Sequence, residues 1–174
     1  GYPWDIARKF AEFGLLGISI PEEKGGLGGT LMDSILAIQA VAEVCPRSAD
    51  VVQAGNFGAV RTFAEFASPE QRKRFLPRIL SGEAVMSVGM SEPGAGSAVT
   101  ELQTYARPDG ESFIVNGTKI FGTHSAEAEV FLVYVRYGPG ISGIGSVLVE
   151  KGMPGFEIGK PSAFMNGEQW SQLY

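Results

Sequence analysis

The chain has 174 residues, 44% hydrophobic and 19% charged, which describes a folded protein with enough length to bury a core. Fourteen basic against nineteen acidic residues give a net charge of −5, which argues against a general nucleic-acid binder. With one cysteine and one histidine, an intrachain disulfide is excluded and a metal centre is not expected. The apolar runs are too short and too interrupted for membrane insertion, and no secretion-signal pattern is present.

Pro3-Trp4-Asp5 reads as a helix start, with Ile6, Phe10 and Phe13 at helical spacing and Gly14 as the stop. Pro21 to Gly29 reads as a flexible connection rich in turn residues. Thr30 with Asp33 has the form of a capping box, opening a helix from Leu31 to Val44 expected to bury Ile35, Leu36, Ile38, Val41 and Val44. Cys45 is expected to be a small buried hydrophobe. A further helix is predicted over 49–66, with Gly55 and Gly58 serving close helix packing or leaving room for a ligand, packing being the favoured reading. Ser68-Pro69-Glu70-Gln71 is the clearest helix start; Phe75, Leu76, Ile79 and Leu80 form its apolar face and Arg72, Lys73, Arg74 and Arg78 a solvated one.

From about residue 86 the pattern changes to short strands. Val85–Met90, Phe131–Val135, Ser146–Val149, Phe156–Ile158 and Gln172–Tyr174 read as strands, and Ser112–Val115 and Thr118–Phe121 as a hairpin turning at Asn116-Gly117. The fold class is therefore α+β: an all-helical domain over 1–86, then an antiparallel β-barrel domain over 87–174. The opening on Gly1 and the stop at Tyr174 inside a strand-like run lead us to expect a piece of a longer protein.

Met90-Ser91-Glu92-Pro93-Gly94-Ala95-Gly96-Ser97 is the sharpest chemical feature. A turn of this composition can present several backbone N–H groups and two hydroxyls to one concavity, as a pyrophosphate or a carbonyl oxygen requires. It is neither the dinucleotide fingerprint nor a Walker loop. Phe121-Gly122-Thr123 places an aromatic face beside a hydroxyl; His124 follows and reads as a polar loop residue.

Together these segments resemble the acyl-CoA dehydrogenase family. Ile20 to Gly28 looks like its IPEEYGGLG signature, Ser91 to Ser97 its TEPGAGS motif, and Asn116 to Thr123 its NGTKxWIT motif, in the family's order. The resemblance implies an N-terminal helical domain, a central β-barrel and a C-terminal four-helix bundle, the last absent from this chain. It implies FAD as cofactor: Ser91, with Met90 beside it, at the flavin pyrimidine edge; Gly96 and Ser97 at the pyrophosphate, Ser97 also touching acyl-CoA; Phe121 covering the ring and Thr123 near N5 and O4. It further implies an oxidoreductase that desaturates an acyl-CoA thioester of fatty acid metabolism by hydride transfer to flavin N5. An electron-transfer flavoprotein would be the acceptor, and a homodimer or homotetramer the assembly. The location would be the bacterial cytoplasm or the mitochondrial matrix. The family's base lies in the missing bundle, so no catalytic residue is assigned here. The alternative is a non-desaturating relative (an oxidase, monooxygenase-like or other acyl-CoA enzyme) or an inactive binding protein on the same scaffold. The chain differs from the pattern at Ala98, at Phe121-Gly122-Thr123-His124-Ser125, over Met165–Trp170, which lacks an arginine, and at Gln53.

Overall fold

In the computed structural model, which describes residues 1–174, the chain divides into a helical unit, Gly1–Met86, and a β unit, Ser87–Tyr174. In the first, α1 (Trp4–Glu12) is followed by Gly14 at φ +70°. α2 (Leu31–Ala42) starts at the expected capping box, with the Asp33 carboxylate accepting from Thr30 N–H at 2.7 Å and Thr30 Oγ1 accepting from Asp33 N–H at 3.2 Å. α3 (Pro46–Ala54) and α4 (Ala59–Phe66) replace the single helix expected over 49–66. The chain breaks between them, where Gly58 takes φ +59°. A Cβ at Gly55 would meet Leu16 at 2.6 Å, so that glycine serves close packing, whereas Gly58 faces open space and is not a packing glycine. α5 (Pro69–Leu80) starts at the Ser68–Gln71 box and contains Pro77.

Val51, Val52, Val60, Phe63, Leu76 and Ile20 form the core of this unit. Buried Asn56 ties it together: its Oδ1 accepts from Ile18 N–H at 2.6 Å, and its Nδ2 donates to Leu15 and Val52 carbonyls at 2.7 and 2.8 Å. Three expectations are corrected. The residue α2 buries is Ser34, while Ile35, Leu36 and Val44 are exposed and Ile38 and Val41 half-buried. α3 packs along this helix, and Leu31, Met32, Ile35 and Leu36 stay exposed. Cys45 is not a core residue either; it precedes α3 half-exposed, and a hydrogen bond with the Ser48 side chain lowers its thiol pKa. The connection over 21–29 is not a loose loop. Gly26 N–H donates to Pro21, Leu27 to Gly17, Gly28 to Ile20 and Gly29 to Ile18 carbonyls, all within 3.1 Å.

The β unit holds eight strands in two sheets, with β1 beginning at the boundary: β1 (Met86–Gly89), β2 (Tyr105–Asp109), β3 (Ser112–Asn116), β4 (Lys119–Thr123), β5 (Val130–Arg136), β6 (Ile144–Glu150), β7 (Ser162–Ala163) and β8 (Gln169–Leu173). The larger sheet runs β1-β5-β2-β3 with β6 also on β5, and the smaller runs β4-β8-β7. β5 and β6 pair antiparallel along their full length, from Val130↔Glu150 to Arg136↔Ile144. β2 meets β5 in parallel at Tyr105↔Arg136, so the pairing is not uniformly antiparallel. The helical-then-β order matches the expected fold class, but the strands do not close into a barrel: β3 ends one sheet, and β4 and β7 end the other.

The expected Asn116-Gly117 hairpin is also corrected. β3 pairs with β2 across Gly110-Glu111, in the register Asp109↔Ser112, with Gly110 at φ +60°. A glycine at the first loop position is what a tight two-residue hairpin favours. Gly117 instead carries the chain from one sheet to the other. It lies so close to Thr104 that a Cβ would sit 2.3 Å from the threonine Oγ1 and 2.7 Å from its Cα. Phe156–Ile158 forms no strand beyond a bridge at Ile158↔Leu173. Leu102, Ala128, Val130, Phe131 and Val135 fill this unit's core.

Candidate functional site

The Met90–Ser97 segment leaves β1 and folds into a tight turn, with Glu92 N–H donating to Ala95 O at 3.0 Å and Ala95 N–H returning to Glu92 O at 3.1 Å. Ala95 is buried beneath it, while Gly94 and Gly96 face open space and Ser97 is exposed. The turn therefore offers backbone on its outer side, where glycines leave nothing in the way of an approaching group.

Its base is fixed by a buried ion pair. Lys119 Nζ lies 2.8 Å from Glu92 Oε1 and also donates to Met90 O at 3.1 Å. The Glu92 carboxylate further accepts from Gln103 N–H at 2.6 Å and Thr104 N–H at 2.8 Å. Burial pushes the Glu92 carboxyl up, but the Gln103 and Thr104 N–H groups and the Lys119 ammonium outweigh it and bring it down to about 2. Burial lowers the Lys119 ammonium, and Glu92 offsets part of that. Glu92 is thus ionised, with both oxygens occupied. It is a strut rather than a proton acceptor, because a general base works best with a pKa near the operating pH.

β4 runs beside the turn. Ile120 N–H donates to Ser91 O at 2.8 Å, which brings Met90 and Ser91 alongside Phe121. The β4–β8 register slips between Lys119 and Gly122, and at that irregularity Phe121 takes φ +57°. A left-handed backbone at a bulky residue costs roughly 1–3 kcal/mol and persists only where its surroundings hold it. Here Gly122 pairs with Ser171 and Thr123 with Trp170, while Ser87 Oγ donates to Thr123 O at 2.7 Å. The result is a Phe121 ring turned outward and 49% exposed. It packs edge-on to Trp170 with centroids 4.8 Å apart, and Phe164 lies 6.3 Å from Phe121 and 6.0 Å from Trp170.

The sequence-predicted residues thus fall into two groups. Met90, Ser91, Phe121 and Thr123 are brought together at the junction of the turn and β4. Gly96 and Ser97 lie on the turn's open limb. Reading the sequence missed Lys119 as the partner of Glu92; a lysine between Thr118 and Ile120 in a strand-like run was the available signal. Phe164 and Trp170 were missed as neighbours of Phe121, and no local pattern joins residues so far apart in sequence. His124, read as a polar loop residue, is buried, with Nε2 3.0 Å from Glu168 Oε1.

Comparison with known proteins agrees with this architecture. The family model for the N-terminal domain of acyl-CoA dehydrogenases matches residues 1–83, and that for the middle domain matches 87–174. The chain belongs to the acyl-CoA dehydrogenase family. Mitochondrial isobutyryl-CoA dehydrogenase of Dictyostelium discoideum is 38% identical over 161 residues, covering 91% of this chain and 38% of the relative. A chain from the structure of the electron transferring flavoprotein of Acidaminococcus fermentans superposes with a TM-score of 0.88 at 32% identity, covering 99% of this chain and 47% of its own. The FAD complex of PigA superposes with a TM-score of 0.90 at 26% identity, covering 99% and 46%. The chain thus spans less than half the length of these relatives. No helix in it is long and apolar enough to cross a membrane.

Proposed function

We propose that this chain is the flavin-facing part of an FAD-dependent acyl-CoA dehydrogenase. The observation that carries the reading is the outward, half-exposed Phe121 ring held in a left-handed backbone beside the Ser91 turn. A flat polar heterocycle needs both an apolar face and donors at its edge, and these residues supply the two side by side. The residues fit FAD. Phe121 would cover one face of the ring system, with Ser91 and neighbouring Met90 at its pyrimidine edge and Thr123 near N5 and O4. Gly96 and Ser97 would meet the pyrophosphate through a turn that no side chain obstructs, and Ser97 would also touch the acyl-CoA. When bound, FAD supplies the hydride acceptor; the chain's own residues bind and orient it.

In this reading residues 1–86 form the N-terminal helical domain and residues 87–174 the middle domain facing flavin and acyl-CoA. As the resemblance implies, the α proton of the thioester would be removed by a carboxylate outside this chain; Glu92 is occupied in its ion pair. The same reading includes an electron-transfer flavoprotein as acceptor, a homodimer or homotetramer, and the bacterial cytoplasm or mitochondrial matrix as location. Similarity to a mitochondrial isobutyryl-CoA dehydrogenase and to a chain of an electron-transferring-flavoprotein structure supports it.

The test is anaerobic titration of the complete protein with a panel of acyl-CoA thioesters while the visible flavin bands are followed. Bleaching by one thioester is the expected result and identifies the substrate class. A bound flavin that no thioester bleaches selects a non-desaturating relative. Absence of flavin selects a binding scaffold and sinks the proposal.

A further inference from the structure

Three aromatic rings form the face described above, and they come from two separate segments: Phe121 from β4, and Phe164 and Trp170 from the β7–β8 hairpin. β7 supplies only two residues to this hairpin, and its turn is held locally by Gly167 N–H to Phe164 O at 2.9 Å, Phe164 N–H to Glu168 O at 2.8 Å and Glu168 N–H to Asn166 Oδ1 at 3.0 Å. Backbone pairing to β4 ends at His124, whose N–H donates to Gln169 O at 3.1 Å. Beyond that point a side-chain link joins the residue after β4 to the hairpin, from His124 to Glu168. A carboxylate only accepts, so His124 Nε2 carries the hydrogen and donates across the 3.0 Å gap to Glu168 Oε1.

The backbone at His124 is in the left-handed region, φ +59°, and its carbonyl accepts from Glu127 N–H at 3.1 Å and Ala128 N–H at 2.9 Å. Asparagine and histidine are both enriched in that conformation. The backbone therefore tolerates either residue, and what histidine adds is the reach of an imidazole to the hairpin. Both side chains are largely shielded, at 7% and 15% exposure, where such a bond is not screened as a surface pair would be.

We infer that the His124–Glu168 bond is a clasp that positions Trp170 and Phe164 against Phe121, and that it thereby sets how tightly the aromatic face holds a flat ring ligand. His124 and Glu168 act through the rings and are positioning residues. The inference rests on the flavin reading above.

The test uses the complete protein, stripped of flavin and titrated with FAD. Two signals are read: the dissociation constant, and the part of the flavin-induced fluorescence quenching that is lost in a Trp170→Phe control. Glu168→Ala and His124→Ala are expected to weaken FAD binding by roughly five- to tenfold and to reduce the Trp170 quenching. Glu168→Gln keeps an acceptor oxygen and is expected to stay within about twofold of the parent. A merely structural role would lower the melting temperature of the flavin-free protein and leave the quenching by bound FAD unchanged. Unchanged affinity and quenching in Glu168→Ala overturn the inference, whatever the melting temperature. Should His124→Ala not fold, the Glu168 pair of variants alone decides the matter. Parent protein that takes up no FAD overturns the flavin reading and this inference with it; parent binding with indifferent variants overturns the inference alone.

Discussion

Phe121 and Glu92 sit close together and are held in opposite ways. The Phe121 ring is half in solvent and packs edge-on to Trp170, so Phe121→Ala is expected to lower stability by about 1 kcal/mol, well short of a core truncation. Ring stacking is worth about 0.5–1.5 kcal/mol, so the same variant should weaken FAD binding roughly two- to tenfold in an equilibrium titration. An unchanged dissociation constant would remove Phe121 from the site. Glu92 is the reverse case. Lys119→Met leaves a buried carboxylate without its counter-charge, and breaking a buried pair from one side costs about 3–5 kcal/mol. Its pH dependence has a definite sign. The folded carboxyl sits at about 2, below the ordinary glutamate value of 4.5, so its contribution is complete above 4.5 and is lost as pH falls through that window. Acid unfolding of Glu92→Gln should accordingly show a shallower loss of stability between about pH 4.5 and 2 than the parent. Superimposable acid limbs would show that Glu92 is not the group responsible.

At the scale of elements, local chemistry was legible where one segment decides its own structure. Ser68 and Gln71 cap each other across α5, with Gln71 N–H donating to Ser68 Oγ at 3.2 Å and Ser68 N–H to Gln71 Oε1 at 2.8 Å. Ser68→Ala should lower thermal stability by about 1 kcal/mol, and no loss would mean the box is ornamental. Partner choice was not legible. Asn116-Gly117 carries a strong hairpin signal, yet Gly117 is needed because the chain passes against Thr104, and the true hairpin turns at Gly110. Burial of α2 was misjudged for a related reason: the apolar pattern shows that a helix has something to cover, not whether the cover lies within 174 residues. The family motifs pointed to the Ser91 turn and Phe121 because each is contiguous. The Phe121–Trp170 contact and the Lys119–Glu92 pair span dozens of residues, and only the sheet order brings them together. The glycine-rich segment after Pro21 combines both lessons. Its composition suggested looseness, but a Cβ at Gly26 would lie 2.2 Å from Ile20 O, so the segment is glycine-rich in order to pack. Gly26→Ala is expected to destabilise the helical unit by more than about 1 kcal/mol in a denaturant titration.

The whole chain presents surfaces that its own residues do not finish. The Phe121 ring is half exposed, and the turn through Gly96 and Ser97 is exposed on its outer side. A ligand pocket normally buries 70–90% or more of its occupant, and an aromatic face with an open turn covers much less than that. On α2, Leu31, Met32, Ile35 and Leu36 are likewise exposed, an apolar density unusual for a helix facing water. Dissociation is governed by how much of the ligand is enclosed, because each uncovered face forfeits both apolar burial and the exclusion of water that strengthens hydrogen bonds. A polypeptide of residues 1–174 alone is therefore expected to shed FAD on desalting, its ratio of flavin to protein absorbance falling to near zero, while the complete protein keeps its flavin through the same column. Near-stoichiometric retention by residues 1–174 would mean that the turn and the three rings enclose far more of the ligand than their exposure implies, and the assignment of the remaining contacts to other parts of the protein would fail.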